Sequence, residues 1–129
     1  MAKGFWKLGS DTQVRTPVSY LREQATALRE ATEGILVGDV RQFDVQSRNP
    51  QLGFSLMIVA PALNNYRYRV LSIRQPIVMY PLMLESTALD ETLEIANEEQ
   101  LVAALERILG SDVIQRVVAA LLAQARETS

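Results

Sequence analysis

The hydrophobic side chains of this chain repeat every three to four residues near both ends and every second residue in between. The period of two begins at Ile35, and helical spacing returns only after residue 97. A period of two is typical of strands, and a period of 3.6 is typical of helices. Helices segregated at the two ends of a run of strands define the α+β class. We therefore expect an N-terminal helix, a sheet and then further helices.

The helix starts are marked by capping residues. Thr16 followed by Pro17 combines an N-cap with a proline at the first helical position, and Gly34 supplies a C-terminal stop. Asn97 precedes a first turn rich in acids, which the positive end of a helix dipole favours. Gly110 separates two C-terminal helices. The predicted helices span about residues 17–33, 98–109 and 112–126.

Four strands are predicted between the first and second helices. The run Phe54–Ala60 is apolar except for Ser55, which indicates a central strand shielded from water on both faces. Pro81 would leave a ladder hydrogen bond unmade, so the last strand belongs at an edge or on a bulge. The six carboxylates of Glu85–Glu99 indicate a solvated linker. The expected sheet is a mostly antiparallel meander with a long first strand from Ile35, then Phe54–Ala60, Tyr66–Arg74 and Ile77–Leu84.

The chain has the size of one domain. Its 129 residues, 48% hydrophobic and 22% charged, suffice for one core and leave no room for a second. We expect an irregular N-terminal arm over residues 1–15 and a single α+β domain over residues 16–129. The two C-terminal helices should pack on the sheet.

Two residue types that carry much of enzyme chemistry are absent. The chain has no cysteine and no histidine, so it lacks thiolate nucleophiles and the commonest general base and metal ligand. It also lacks a glycine-rich phosphate loop and a calcium loop. The sequence therefore predicts a non-catalytic protein without a cofactor or a metal site. A carboxylate enzyme with a divalent ion is a third hypothesis, and it requires at least two of four acids to converge: Asp39, Asp44, Glu85 and Asp90.

The main candidates for a binding surface lie in an acid-free segment between Asp44 and Glu85. On its third predicted strand tyrosines alternate with arginines, so the rings and the guanidinium groups should face opposite sides of the sheet. We expect the tyrosines to be half buried under a helix and the arginines to lie in water. Tyrosine and arginine are also enriched in interface hot spots. The candidate binding residues are Tyr66, Arg67, Tyr68, Arg69 and Arg74.

Surplus apolar surface favours self-association. Leu71 and Ile73 have odd residue numbers, like Arg67 and Arg69 of the third strand, so alternation puts them on the same face. This predicts a sheet face that is polar and solvent-exposed at one end and apolar at the other. Nearby methionines would extend this apolar end. The third helix is apolar over more of its circumference than packing on one sheet requires, and exposed patches of this kind mark interfaces. The candidate interface residues for a homodimer are Val117, Leu121 and Leu122.

These observations favour a small interaction protein over an enzyme. In outline, the order of elements resembles small acidic bacterial chaperone-like and adaptor domains, which dimerise and bind a peptide or protein client. That resemblance implies a protein partner, whose identity the sequence does not specify. The N-terminus lacks the apolar run of a secretory signal, and no segment approaches the length of a membrane span. The expected location is therefore the cytoplasm, with no membrane association.

A nucleic-acid or nucleotide binder that uses residues 45–84 is the alternative. The order of elements also resembles the double-stranded RNA-binding domain in outline. That family holds phosphates with a lysine-rich helix start, where this chain has Asn97, Glu98 and Glu99. The formal net charge of -2 also argues against a domain that neutralises many phosphates. Nucleic acid is therefore the less favoured partner.

Overall fold

A computed structural model describes residues 4–6 and 14–128 of the chain. The α+β class is confirmed, with an N-terminal helix and two C-terminal helices packed on an antiparallel sheet, but the sheet has five strands rather than four. The predicted arm over residues 1–15 falls largely outside the described residues. The elements are α1 (Pro17–Ala31), β1 (Val37–Phe43), β2 (Gln51–Ala60), a 3₁₀ turn (Pro61–Leu63), β3 (Tyr66–Pro76), β4 (Leu82–Ser86), β5 (Glu91–Ile95), α2 (Glu98–Leu109) and α3 (Asp112–Thr128).

The sheet is a simple meander in which every strand pairs antiparallel with the next one along the chain. The strand order is β1-β2-β3-β4-β5, so β1 and β5 are the two edges. The apolar β2 lies inside the sheet, between β1 and β3. As expected, most of β2 is buried, including Ser55 and Val59 on the face away from the helices. Long side chains of the flanking strands shield that face.

The prediction for residues 77–99 was wrong in two places. The fourth strand was expected over Ile77–Leu84, but residues 77–81 turn and β4 begins only after Pro81, whose peptide bond with Tyr80 is cis. The expected linker contains β5, in which Leu93 and Ile95 point to the core and Thr92 and Glu94 to solvent. Two acids gave that segment the composition of a loop: Glu94 on the exposed side of β5 and Glu91 at its start.

The helix caps form as the sequence predicts. The Thr16 hydroxyl accepts a hydrogen bond from the Ser19 amide at the start of α1. At the start of α2 the Asn97 side chain accepts from the Gln100 amide at 2.9 Å, and the Gln100 side chain accepts from the Ala96 amide at 2.8 Å. These bonds satisfy amide groups that the first turn of a helix leaves without partners.

A β-bulge at Val70 reverses the sidedness of β3. Leu56 pairs with Leu71 whereas Met57 pairs with Arg69, so Val70 is an extra residue without an opposite partner. An extra residue moves every later side chain to the other face of a strand. Leu71 and Ile73 therefore point to the core, where both are fully buried. The prediction that they share a face with Arg67 and Arg69 was wrong.

All three helices cover the same face of the sheet. Leu21 of α1, Leu101 of α2 and Ile114 of α3 join the buried side chains of β2, β3 and β4 in one core. α1 lies closest at Gly38, where a Cβ atom would come within 2.4 Å of the Cα atom of Ala25. The opposite side of the sheet, here called the open face, is covered by no helix or strand of the described ranges. It carries Val37, Asp39, Arg41, Phe43, Ser55, Met57, Arg67, Arg69, Ser72, Arg74, Met83 and Glu85.

Candidate functional site

Four arginines stand on the open face, contributed by β1 and β3. The register places Asp39, Met57 and Arg69 in one cross-strand row. The next row holds Arg41, followed across the sheet by Ser55, Ser72 and Glu85. The following row holds Arg74 beside Met83 of β4. The bulge is responsible for this cluster, because it puts Arg74 on the same face as the arginines that precede it.

Asp39 forms ion pairs with two of the four arginines. Its Oδ2 atom accepts hydrogen bonds from Arg67 Nη1 at 2.6 Å and from Arg41 Nε at 2.8 Å. The hydrogen bond from Arg67 is the main reason that the pKa of Asp39 lies below its ordinary value of 3.8. Partial burial opposes this shift, and Arg41 adds to it through its hydrogen bond and its charge. Asp39 is therefore ionised at neutral pH and anchors both guanidinium groups.

We expect Arg67→Ala to raise the pKa of Asp39, measurable as the midpoint of an NMR titration of its carboxyl carbon. A carboxyl with a lowered folded-state pKa stabilises the fold above its unfolded pKa. That contribution disappears as the pH falls through the folded value. Arg67→Ala brings the folded-state pKa of Asp39 closer to its unfolded value. The pH interval over which protonation of Asp39 lowers the free energy of unfolding should therefore become narrower. Arg69→Ala is the matched control and should leave the Asp39 midpoint in place; equal shifts in both variants would contradict the assignment.

Arg69 and Arg74 have no such partner. Within residues 4–6 and 14–128 neither guanidinium group makes an ion pair, and both side chains are exposed. Together with Arg41 they border a cavity of about 480 Å³ on the open face. Cationic side chains that are held over a surface without counter-charges are available to an anionic ligand. The remaining lining residues are Gln42, Phe43, Ser55, Met57, Ser72 and Glu85.

An aromatic ring gives one end of this cavity an apolar surface. The ring of Phe43 lies directly over Gly53 of the neighbouring strand, where a Cβ atom would come within 2.4 Å of the ring. Only glycine leaves room for a ring lying on the sheet in this way. Met57 and Met83 add flexible apolar side chains to the same face, and Met83 is 42% exposed. The open face therefore offers apolar contacts between its charged groups.

The candidate tyrosines lie on the other side of the sheet, as the alternation predicts. Tyr66, which is 51% exposed, and the half-buried Tyr68 line a groove of about 380 Å³ against α3. Val117 and Leu121, two of the candidate interface residues, line the same groove. Leu121 is also a core residue with 6% exposure, and Leu122 is partly buried against the core. The predicted site residues are thus divided between two surfaces.

The sequence did not reveal the members of the open face that come from other strands. Asp39, Arg41 and Ser55 join the arginines of β3 only through strand pairing. Their common parity within β1 and β2 was a usable signal, but it did not specify which residues of β3 they would meet. Sequence spacing alone therefore identified the arginines of β3 and missed their neighbours.

No three His, Cys, Asp or Glu side chains in the described ranges are grouped so that they could hold a metal ion. No single helix among the described residues is long and apolar enough to cross a bilayer; α2 and α3 meet that criterion only as a pair, with a bend of 52° between them. Comparisons with protein-family models, curated proteins and solved structures find no match to the chain.

Proposed function

We propose that this protein is a non-catalytic interaction domain, of an adaptor or chaperone-like kind, whose open face binds an acidic segment of a protein partner. A cytoplasmic location belongs to the same proposal. The observation that supports it most directly is the pair Arg69 and Arg74, two exposed cations that form no ion pair within the described residues and lie beside apolar side chains. Arginine forms bidentate hydrogen bonds with carboxylates and is enriched at interface hot spots.

Several features favour a protein segment over a nucleic acid as the occupant. The open face also carries Glu85 and Glu94, which repel a backbone with a phosphate at every nucleotide, whereas a peptide can place apolar residues beside these two carboxylates. Met57 and Met83 suit aliphatic side chains better than stacked bases, and Phe43 is the one aromatic side chain that the described residues place on this face. Tyr66 and Tyr68 lie on the far side of the sheet, so they cannot stack bases that contact the arginines. A peptide that mixes carboxylates with apolar residues matches both the cations and the apolar side chains of this surface.

A nucleic-acid or nucleotide ligand is the alternative that one observation supports. Arg41, Arg69 and Arg74 border a single cavity, and three guanidinium groups around a cavity could also hold phosphates. Phosphate binding would show a strong dependence on salt, because each neutralised phosphate releases counterions. The experiment below therefore includes a nucleic-acid arm.

We expect Arg69→Ala/Arg74→Ala to weaken peptide binding by roughly tenfold or more, the size of a hot-spot loss. The probe is a short fluorescein-labelled peptide rich in Glu and Leu, and the measurement is fluorescence anisotropy. The melting temperature should stay nearly unchanged, since both side chains are exposed and unpaired. The control variant is Arg22→Ala/Arg29→Ala on the exposed side of α1, which removes the same charge from the helical side.

Two outcomes would contradict a peptide-binding open face. Equal losses in the two double variants would indicate attraction to net charge rather than to this surface. Tighter binding of labelled oligo(dT) than of the peptide, abolished by the β3 substitutions and by modest salt, would support the nucleic-acid alternative.

A further inference from the structure

β1 is an unprotected edge of the sheet. It pairs with β2 along one side for all seven of its residues, and no other strand of the described ranges pairs with it. Alternate residues of such a strand direct their amide and carbonyl groups away from the sheet, where they can accept another strand. Proteins usually block such edges with proline, charged side chains, bulges or a covering segment. β1 contains no proline, and its charges are of opposite sign.

The sequence of β1 is complementary to itself about Val40. Asp39 and Arg41 lie one residue to either side, and Val37 and Phe43 lie three residues to either side. All four flanking side chains point to the open face, whereas Val40 points to the helical side, packed against the core. Two copies of this strand in antiparallel orientation would therefore match charge with opposite charge and apolar with apolar.

We propose that a second copy of this chain pairs with β1 antiparallel, with Val40 opposite the partner's Val40. In this register Asp39 faces the partner's Arg41, and Arg41 faces the partner's Asp39. Val37 similarly lies opposite the partner's Phe43 at both ends of the strand pair, although the Phe43 ring leans toward Gly53 of β2. Opposite charges and apolar side chains directly across a strand pair stabilise the pairing. Because each contact occurs twice about a two-fold axis, the assembly closes as a dimer.

Asp39 has the capacity for this additional contact. Both hydrogen bonds within its own chain end on the Oδ2 atom, and no described residue donates to Oδ1. A carboxylate can accept about four hydrogen bonds, so a second arginine does not need to displace the first. The side chain of Arg41 is 60% exposed, and among the described residues only its Nε atom is hydrogen-bonded, so its two terminal nitrogens can donate across the edge.

The helices leave room for the second copy. α1 touches β1 closely at Gly38, through Ala25 in its C-terminal half. Its N-terminal half leans across the sheet toward α2, where the Tyr20 hydroxyl donates a hydrogen bond to Glu98. In the proposed register Gly38 faces the partner's Gln42, so the two α1 helices approach the strand pair at opposite ends. They need not collide over the new strand pair.

The other edge of the sheet does not offer the same match. β5 has the sequence Glu-Thr-Leu-Glu-Ile and contains no cation, so pairing two β5 strands would gather four carboxylates. Glu91 already forms an ion pair with Arg107 of its own chain. Like charges across a strand pair oppose association. With one complementary edge and one repelling edge, the sheet should grow to ten strands and stop.

The test exchanges the charges of β1 and reads the mass of the assembly by sedimentation equilibrium. We expect the unmodified protein to have about twice the chain mass of 14.4 kDa. Asp39→Lys gives a chain with two positive groups at the edge, and Arg41→Glu gives one with two negative groups. Each single variant should dissociate, with its dimer Kd raised roughly tenfold or more by two repelling pairs. Circular dichroism melts show whether each variant is folded.

Complementation is the decisive arm of this experiment. A mixture of the Asp39→Lys and Arg41→Glu chains should form a heterodimer, because both cross-strand pairs are then of opposite charge. The double variant Asp39→Lys/Arg41→Glu should again form a homodimer. Arg67→Ala removes the other partner of Asp39 and should leave the dimer intact.

Three results would overturn this interface. These are a monomeric unmodified protein, single variants that remain dimers, and a mixture that fails to associate although both chains are folded. The outcome is separable from that of the peptide-binding test, because Arg69 and Arg74 lie on β3, away from the edge. Arg41 also borders the cavity, so the charge exchange is read by the mass of the assembly and not by peptide binding. A dimer that persists in the Arg69→Ala/Arg74→Ala chain is a result independent of peptide binding.

Discussion

Leu84→Ala should lower the free energy of unfolding by about 2–5 kcal/mol, as is usual when a fully buried leucine is truncated in a core. Leu84 has no exposed surface, and it lies between Ile73 of β3 and Leu93 of β5 on the helical face of the sheet. The helix layer covers it from above, so the vacated space cannot fill with water at low cost. Urea unfolding followed by circular dichroism measures the change.

Met83→Ala is the matched control one position earlier on β4. Met83 points to the open face and is 42% exposed, so its truncation should cost less than about 1 kcal/mol. The ratio of the two effects tests the register of β4. If Met83→Ala were the more damaging substitution, β4 would have to be shifted by one residue, and the faces assigned to β4 and β5 would be exchanged.

Gly38→Val should destabilise the protein by about 3 kcal/mol, the upper part of the range for inserting volume into a packed interface. A Cβ atom at this position would lie 2.4 Å from the Cα atom of Ala25 and 2.5 Å from its Cβ atom. The close neighbour is the backbone of α1, so the helix itself has to move away from β1. The expected result is a lower urea midpoint together with weakened packing of α1.

Two further variants make this prediction specific. Gly4→Val introduces the same side chain where no atom lies within 4 Å, and its stability should match that of the unmodified protein. Ala25→Gly should rescue Gly38→Val only in part, because it removes the Cβ atom and leaves the equally close Cα atom in place. Full rescue would show that the contact involves only the methyl group of Ala25.

The helices were predictable because their signals are local. Thr16 and Asn97 cap the helices that they were expected to cap, and the hydrogen bonds involved span three or four residues. A capping side chain requires only its neighbours in sequence, so its pattern survives in any tertiary context. The predicted ends of all three helices accordingly lie within a few residues of the observed ones.

The end of the sheet was less predictable because composition and strand position conflict there. Pro81 does not lie within β4 but precedes it, so the apolar residues before it form a turn. In β5 Glu94 occupies a solvent-facing position of the edge strand, where charge protects the edge, and Glu91 at the start of the strand pairs with Arg107. The acidic composition of such a segment predicts a loop, although Leu93 and Ile95 show the alternation of a strand.

The open face was predictable in part. Alternation correctly placed Arg67 and Arg69 opposite the tyrosines, since both precede the bulge. Beyond Val70 the same rule fails, because a bulge has no obvious signal in an apolar segment. The contacts between Arg67 and Asp39 join residues that are 28 positions apart, and only the pairing of three strands brings them together.

The sequential strand order has a consequence for how the protein reaches this structure. Each hairpin can close on a neighbour that is already in place, so the loops to be closed are short and their entropic cost is low. The exception is the helix layer, in which α1 must wait for α2, some eighty positions later, before Tyr20 can meet Glu98. A nascent sheet would expose its apolar side until that late docking step, and it is in this interval that we expect the chain to be most prone to aggregation and to depend on chaperones.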